Sequence, residues 1–201
     1  MYDPGRIFLY SLSALLFSLL YLPVYIRTRR AEDLKDAWKE NRAVKLLLCC
    51  VFNCLISAVT IAEPRGLPEL IFVFVLMLIV DFDLLICRIP TEFLTLLDMS
   101  ILPGIVTNGN WVYVLISLVL WSFWWIVQRK GLIAVYDVWM ILTFTLCLNE
   151  TKKALLFYAL FLILWGSIGL ILRYFCGKGP RTKISLVPLV VLSFLVMQLC
   201  P

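Results

Sequence analysis

The stretch ELIFVFVLMLIVDFDLLICR, residues 69–88, decides the fold. As a helix rising 1.5 Å per residue it spans about 30 Å, the thickness of a bilayer's hydrocarbon core. Its only charges are Glu69, Asp81, Asp83 and Arg88. Seven comparable apolar runs surround it, over residues 7–26, 43–62, 93–107, 110–128, 132–149, 153–173 and 184–200. The pattern predicts an all-α, polytopic integral membrane helical bundle of about eight transmembrane helices, forming a single membrane domain over residues 1–201. The run 93–107 carries Asp98 and Pro103-Gly104, which predict a tilted, broken or partly re-entrant helix there. The run 7–26 is longer than the core of a signal peptide and is followed by Thr28-Arg29-Arg30, so it is expected to stay as a helix.

Composition agrees. Of 201 residues, 63% are hydrophobic, 15% are charged and none is histidine, and the mean hydropathy is +0.98. A chain this apolar belongs in a membrane. Without histidine there is no Ser-His-Asp or Cys-His relay and no HExxH zinc site. The seven cysteines form no C-x-x-C pair and read as small hydrophobes. No metal or cofactor is expected.

The net charge of +5 comes from Lys and Arg in the gaps between apolar runs, where they orient a membrane chain rather than bind nucleic acid. Counted on alternate sides of eight spans, fourteen of the 18 fall on one face: seven in 27–45, then Arg88, Arg129, Lys130, Arg173, Lys178, Arg181 and Lys183. Only Arg6, Arg65, Lys152 and Lys153 fall on the other. If the run 93–107 did not cross, the later loops would change sides and the split would fall to about ten against eight, so the charge rule favours the crossing and places both termini outside. The insertion RTRRAEDLKDAWKENRAVK, residues 27–45, reads as a short cytoplasmic loop with amphipathic helical character, most simply a solvated positive-inside segment.

Four carboxylates, Asp81, Asp83, Asp98 and Asp137, lie within apolar runs. Each costs about 2.5 to 3.5 kcal/mol at the centre of an inserted helix, so each calls for a reason. Asp83 precedes Arg88 by five residues and Asp137 follows Lys130 by seven. Both therefore sit roughly 7 to 11 Å below the same cytoplasmic surface. Two carboxylates sharing a low-dielectric site tend to share one proton, which is the chemistry of aspartyl proteases. One carboxylate takes a proton from the attacking water while the other, protonated, hydrogen-bonds the peptide carbonyl. Helix capping or an interhelical hydrogen bond is the plainer reading of any one of them. Asp81 and Asp83 point about 200° apart around a helix and cannot face one site. Asp81 is expected to lean towards Arg88, and Asp98 to make an accessory polar contact.

The segment Asp83-Leu84-Leu85-Ile86-Cys87-Arg88-Ile89-Pro90-Thr91 resembles the first catalytic motif of the type IV prepilin peptidases, in which an Asp is followed seven residues later by the Pro of an Ile-Pro-Asn or Leu-Pro-Asp turn. The second motif, Gly-x-Gly-Asp-Val-Lys, falls on Ala134-Val135-Tyr136-Asp137-Val138-Trp139, which keeps Asp-Val and lacks both glycines and the lysine. Lys183-Ile184-Ser185-Leu186-Val187-Pro188 is similar to the family's Ile-Pro-Phe-Gly-Pro segment in Ile184 and Pro188. The likeness runs over about 69–200, as in a short, divergent member of the GxGD-type membrane aspartyl proteases.

The resemblance implies an aspartyl endopeptidase of the cell (inner or plasma) membrane that cuts the basic leader from type IV pilin-like precursors at the cytoplasmic face, in pilus assembly or protein secretion. Asp83 and Asp137 would be catalytic, and Pro90 and Tyr136 are candidates to contact substrate. Pro90 also suits the end of one helix and the start of the next with Thr91 as cap, and Tyr136 an interfacial anchor. Larger members N-methylate the new terminus and carry a cysteine-rich zinc loop; the loop 27–45 has no cysteine, so neither is carried over. The expected partners are the precursor and the lipid bilayer, with no nucleic acid. An inactive relative that binds pilin-like helices as an assembly factor, a proton-coupled transporter and a structural scaffold are the alternatives. The charge count predicts that reporters inserted at residue 36 and residue 152 signal opposite sides of the membrane, with the former cytoplasmic; the same side for both would overturn the eight-span topology.

Overall fold

A computed structural model describes residues 4–28, 41–60, 67–108, 110–130, 133–174 and 186–199. Among them are eight helices and no strand: α1 (Pro4–Thr28), α2 (Arg42–Thr60), α3 (Leu67–Ile86), α4 (Thr91–Asn108), α5 (Trp111–Arg129), α6 (Val135–Leu148), α7 (Thr151–Tyr174) and α8 (Val187–Leu199). Each coincides with one apolar run of the sequence to within a few residues. Four are long and apolar enough to cross a membrane, over Gly5–Arg27, Arg42–Thr60, Trp111–Arg129 and Thr151–Ile171. Their outer faces carry large apolar side chains, among them Phe8, Leu20, Val119 and Ile163, each at least 64% exposed. A folded chain tolerates so much apolar exposure where lipid rather than water meets it. The chain is a helical membrane protein.

Hydroxyls inside these helices are satisfied locally. Ser11, Thr60, Ser117 and Ser193 each donate to the carbonyl four residues earlier, at 2.6 to 2.9 Å. This removes most of the cost of a polar side chain in an apolar helix. Of the tilted, broken or partly re-entrant helix expected near residue 103, the break is not seen. The helix α4 continues through Pro103-Gly104, where the ring costs the backbone bond to the Met99 carbonyl, and Ser100 and Thr107 donate to the Leu97 and Gly104 carbonyls nearby. Most of 27–45, and with it the expected amphipathic segment, lies outside the described residues.

The chain divides into two compact units, Met1–Pro103 and Gly104–Pro201. In the first, α1, α2 and α3 pack against one another. Phe82 of α3 is fully buried, with ring centroids of Tyr21, Tyr25 and Phe93 within 5.9 Å of its own. In the second, the short helix α6 packs against α5, α7 and α8. Phe144 of α6 stacks on Phe194 of α8 with centroids 4.5 Å apart. The Tyr113 hydroxyl of α5 donates to the Thr145 carbonyl, and the Thr145 hydroxyl shares a 2.8 Å hydrogen bond with that of Tyr158 on α7. The turn from α6 to α7 uses Asn149 at φ 49°, the left-handed conformation that ends many helices.

Phe144→Ala should destabilise the protein by about 3 to 5 kcal/mol by opening a cavity against Phe194, whereas Val119→Ala on the outer face should change stability by less than about 0.5 kcal/mol. Thermal unfolding in detergent measures both; equal midpoints for the two variants would refute the packing described for the second unit.

Candidate active site

Asp83 lies in the last turn of α3 and is fully buried. Its carbonyl accepts the Cys87 N–H at 2.9 Å. Cys87 stands at φ 52°, a left-handed setting that closes the helix and turns the chain. It does so without glycine, at a cost of about 1 kcal/mol. The Lys45 ammonium, reaching from α2, donates to the Leu85 carbonyl at 3.0 Å and answers the negative end of α3. Pro90 is buried at the start of α4, and its carbonyl accepts the Phe93 N–H at 3.1 Å. The cap expected from Thr91 is not made: that residue is already helical, and its hydroxyl donates to the neighbouring Glu92 carboxylate.

Asp137 lies in the first turn of α6 and is 3% exposed. Its Oδ2 accepts the Ala134 N–H at 3.0 Å, which satisfies a donor left over at the helix start. The carboxylate thus has a capping role whatever else it does. Ala134 is extended, at φ −81° and ψ 160°. Tyr136 is helical and half-buried. Neither position needs the positive φ that favours glycine, so the absence of glycine there leaves the backbone unstrained. Asp83 and Pro90 thus lie in the first unit, on either side of the α3–α4 turn, and Asp137 and Tyr136 in the second, at the start of α6. Of the third motif, Leu186, Val187 and Pro188 are described and buried, while Lys183 and Ile184 lie outside the described residues.

Asp81 differs from expectation. Its partners are not Arg88 but Ser18 of α1, whose hydroxyl donates at 2.8 Å, and Asn53 of α2, whose amide donates to both carboxylate oxygens at 3.1 and 3.2 Å. The Cys49 thiol of α2 lies beside the same carboxylate. Sequence reasoning missed all three, although one asparagine within the apolar run 43–62 was a visible signal. The Lys45 contact was missed too, because helix packing rather than spacing brings it to α3.

The capping geometry predicts that Asp137→Ala lowers stability by about 1 kcal/mol, while Asp137→Asn, which keeps an acceptor, costs less. Thermal unfolding in detergent tests this, and equal midpoints for wild type and Asp137→Ala would refute the cap.

No family model, curated protein or solved structure matches this chain.

Proposed function

We propose that the chain is a membrane aspartyl endopeptidase of the prepilin peptidase type, crossing the membrane eight times with both termini outside. Asp83 and Asp137 meet near the cytoplasmic surface and share one proton. The ionised carboxylate accepts a proton from water as the oxygen attacks the scissile carbonyl, and the protonated one hydrogen-bonds the developing oxyanion. The substrate is a pilin-like precursor whose basic leader precedes an apolar helix, which places the scissile bond close to the membrane surface. The protein then resides in the inner or plasma membrane, where it serves pilus assembly or secretion.

The observation that supports this reading is the placing of the two motif aspartates. Each is buried within a turn of a helix end, and Arg88 beyond the first and Arg129 and Lys130 before the second are the charges by which the positive-inside rule would put both ends at the cytoplasmic face. Burial of an ionisable group at a helix end, away from bulk water, is characteristic of tuned catalytic groups. A second reading is favoured by the Ala134 bond: if capping is all that Asp137 does, the chain is an inactive relative that binds pilin-like helices as an assembly factor.

Co-expression in membranes with pilin-like precursors from the same genome separates the two. The protease reading predicts a shortened precursor with wild type, and loss of at least a hundredfold in processing with Asp83→Asn or Asp137→Asn. Undiminished processing by both variants would contradict the pair, and co-purification of an uncut precursor would favour the assembly factor.

A further inference from the structure

Asp81 is fully buried in the first unit, as are Ser18 and Asn53. These three residues come from three different helices, and their hydrogen bonds at 2.8, 3.1 and 3.2 Å converge on one carboxylate. Apolar packing alone specifies the rotation of an apolar helix weakly, because one aliphatic face is much like another. A carboxylate that finds its donors in a single direction specifies it strongly. The helix α3 needs such a device, since its side chains from Val75 to Asp83 are all buried and offer no amphipathic cue.

The Asn53 amide orientation follows from this contact. Its Nδ2 faces the two carboxylate oxygens, and Oδ1 is buried with no hydrogen-bond partner among the described residues. Reversing the amide would turn Oδ1 towards the carboxylate, so the amide stays where Asp81 holds it. Lys45 makes a second tie between α2 and α3, at the Leu85 carbonyl, two residues beyond Asp83.

We infer that Asp81 is a positioning residue: bound by Ser18 and Asn53, it sets the rotation of α3 and thereby the direction in which Asp83 leaves that helix. Its value to catalysis rests on the protease reading above. Two residues of helix turn the chain by about 200°, so holding Asp81 against α1 and α2 commits Asp83 to the other side of α3. Asp81 touches no reacting atom in this scheme and acts through Asp83. The latch also explains why two aspartates stand so close in one apolar helix, where each is costly.

The test compares Asp81→Leu, which removes the acceptor at similar volume, with Asp81→Asn. In the latter the new amide oxygen accepts from Asn53 and the new amide N–H donates to the Ser18 hydroxyl. Two quantities are read in membranes: kcat and KM for precursor cleavage, and the maleimide labelling rate of Cys87 in a chain whose cysteines other than Cys87 and buried Cys49 are replaced by alanine. Cys87 is exposed and its N–H is tied to the Asp83 carbonyl, so its thiol moves with the end of α3. Asp81→Leu should lower kcat at least tenfold with KM within about threefold, and should change the Cys87 labelling rate at least threefold. Asp81→Asn should restore both. If Asp81→Leu fails to accumulate, Ser18→Ala, which adds no bulk, should move both readings in the same direction by less. Unchanged kcat and labelling in a stably inserted Asp81→Leu chain would overturn the inference. If wild type cleaves no precursor, the protease reading falls, and the labelling rates alone then decide whether Asp81 sets the end of α3.

Discussion

A carboxylate in an apolar helix bundle has to find donors within the bundle, and that requirement organises the first unit. Asp81 finds them in Ser18 and Asn53, on the two helices that flank α3. Hydrogen bonds to a buried charge contribute about 1.5 to 3 kcal/mol each and leave a larger penalty when one partner is removed. Together with the Tyr21, Tyr25 and Phe82 rings and the Ser11–Ser57 hydrogen bond, these contacts hold the three helices in one register. The end of α3 follows, with Lys45 on its Leu85 carbonyl and Cys87 closing it. Asp83 lies within that fixed turn.

The second unit solves the same problem with hydroxyls and a cap. Tyr113, Thr145 and Tyr158 form a chain from α5 through α6 to α7, and Asp137 satisfies the first donor of α6 through Ala134. At 14 residues, α6 is shorter than the lipid-facing spans, and it packs on α5, α7 and α8 with a carboxylate in its first turn. An aspartate that caps a helix while lying buried is held in a defined orientation, which both a catalytic group and a purely structural one require.

The helices were legible in the sequence because membrane thickness converts directly into the length of an apolar run, and all eight runs became helices. The position of Asp83 near an Arg-Ile-Pro helix exit was legible for the same reason, whereas α6 begins three residues after the start of its apolar run, so Asp137 lies closer to the helix start than the run implied. Sequence spacing misled where contacts run between helices. Arg88 is near Asp81 along the chain, yet the carboxylate turns to Ser18, 63 residues away. Local rules misled as well where two of them competed. Of the tilt, break or re-entry expected at Pro103, the break is absent, since the helix runs through it, and Thr91 was expected to cap a helix that already includes it. Positions 134 and 136 stand in extended and helical backbone that alanine and tyrosine adopt without strain.

The account as a function rests on two carboxylates from distant parts of the chain approaching each other. Paired cysteines at 83 and 137, in a chain otherwise free of cysteine, test this most directly when treated in membranes with a short bifunctional thiol reagent. The account predicts a ready cross-link between positions 83 and 137, and none between 81 and 137, because Asp81 is turned to the other side of α3. No cross-link at 83 and 137 in a stably inserted chain, or an equal one from position 81, would contradict it.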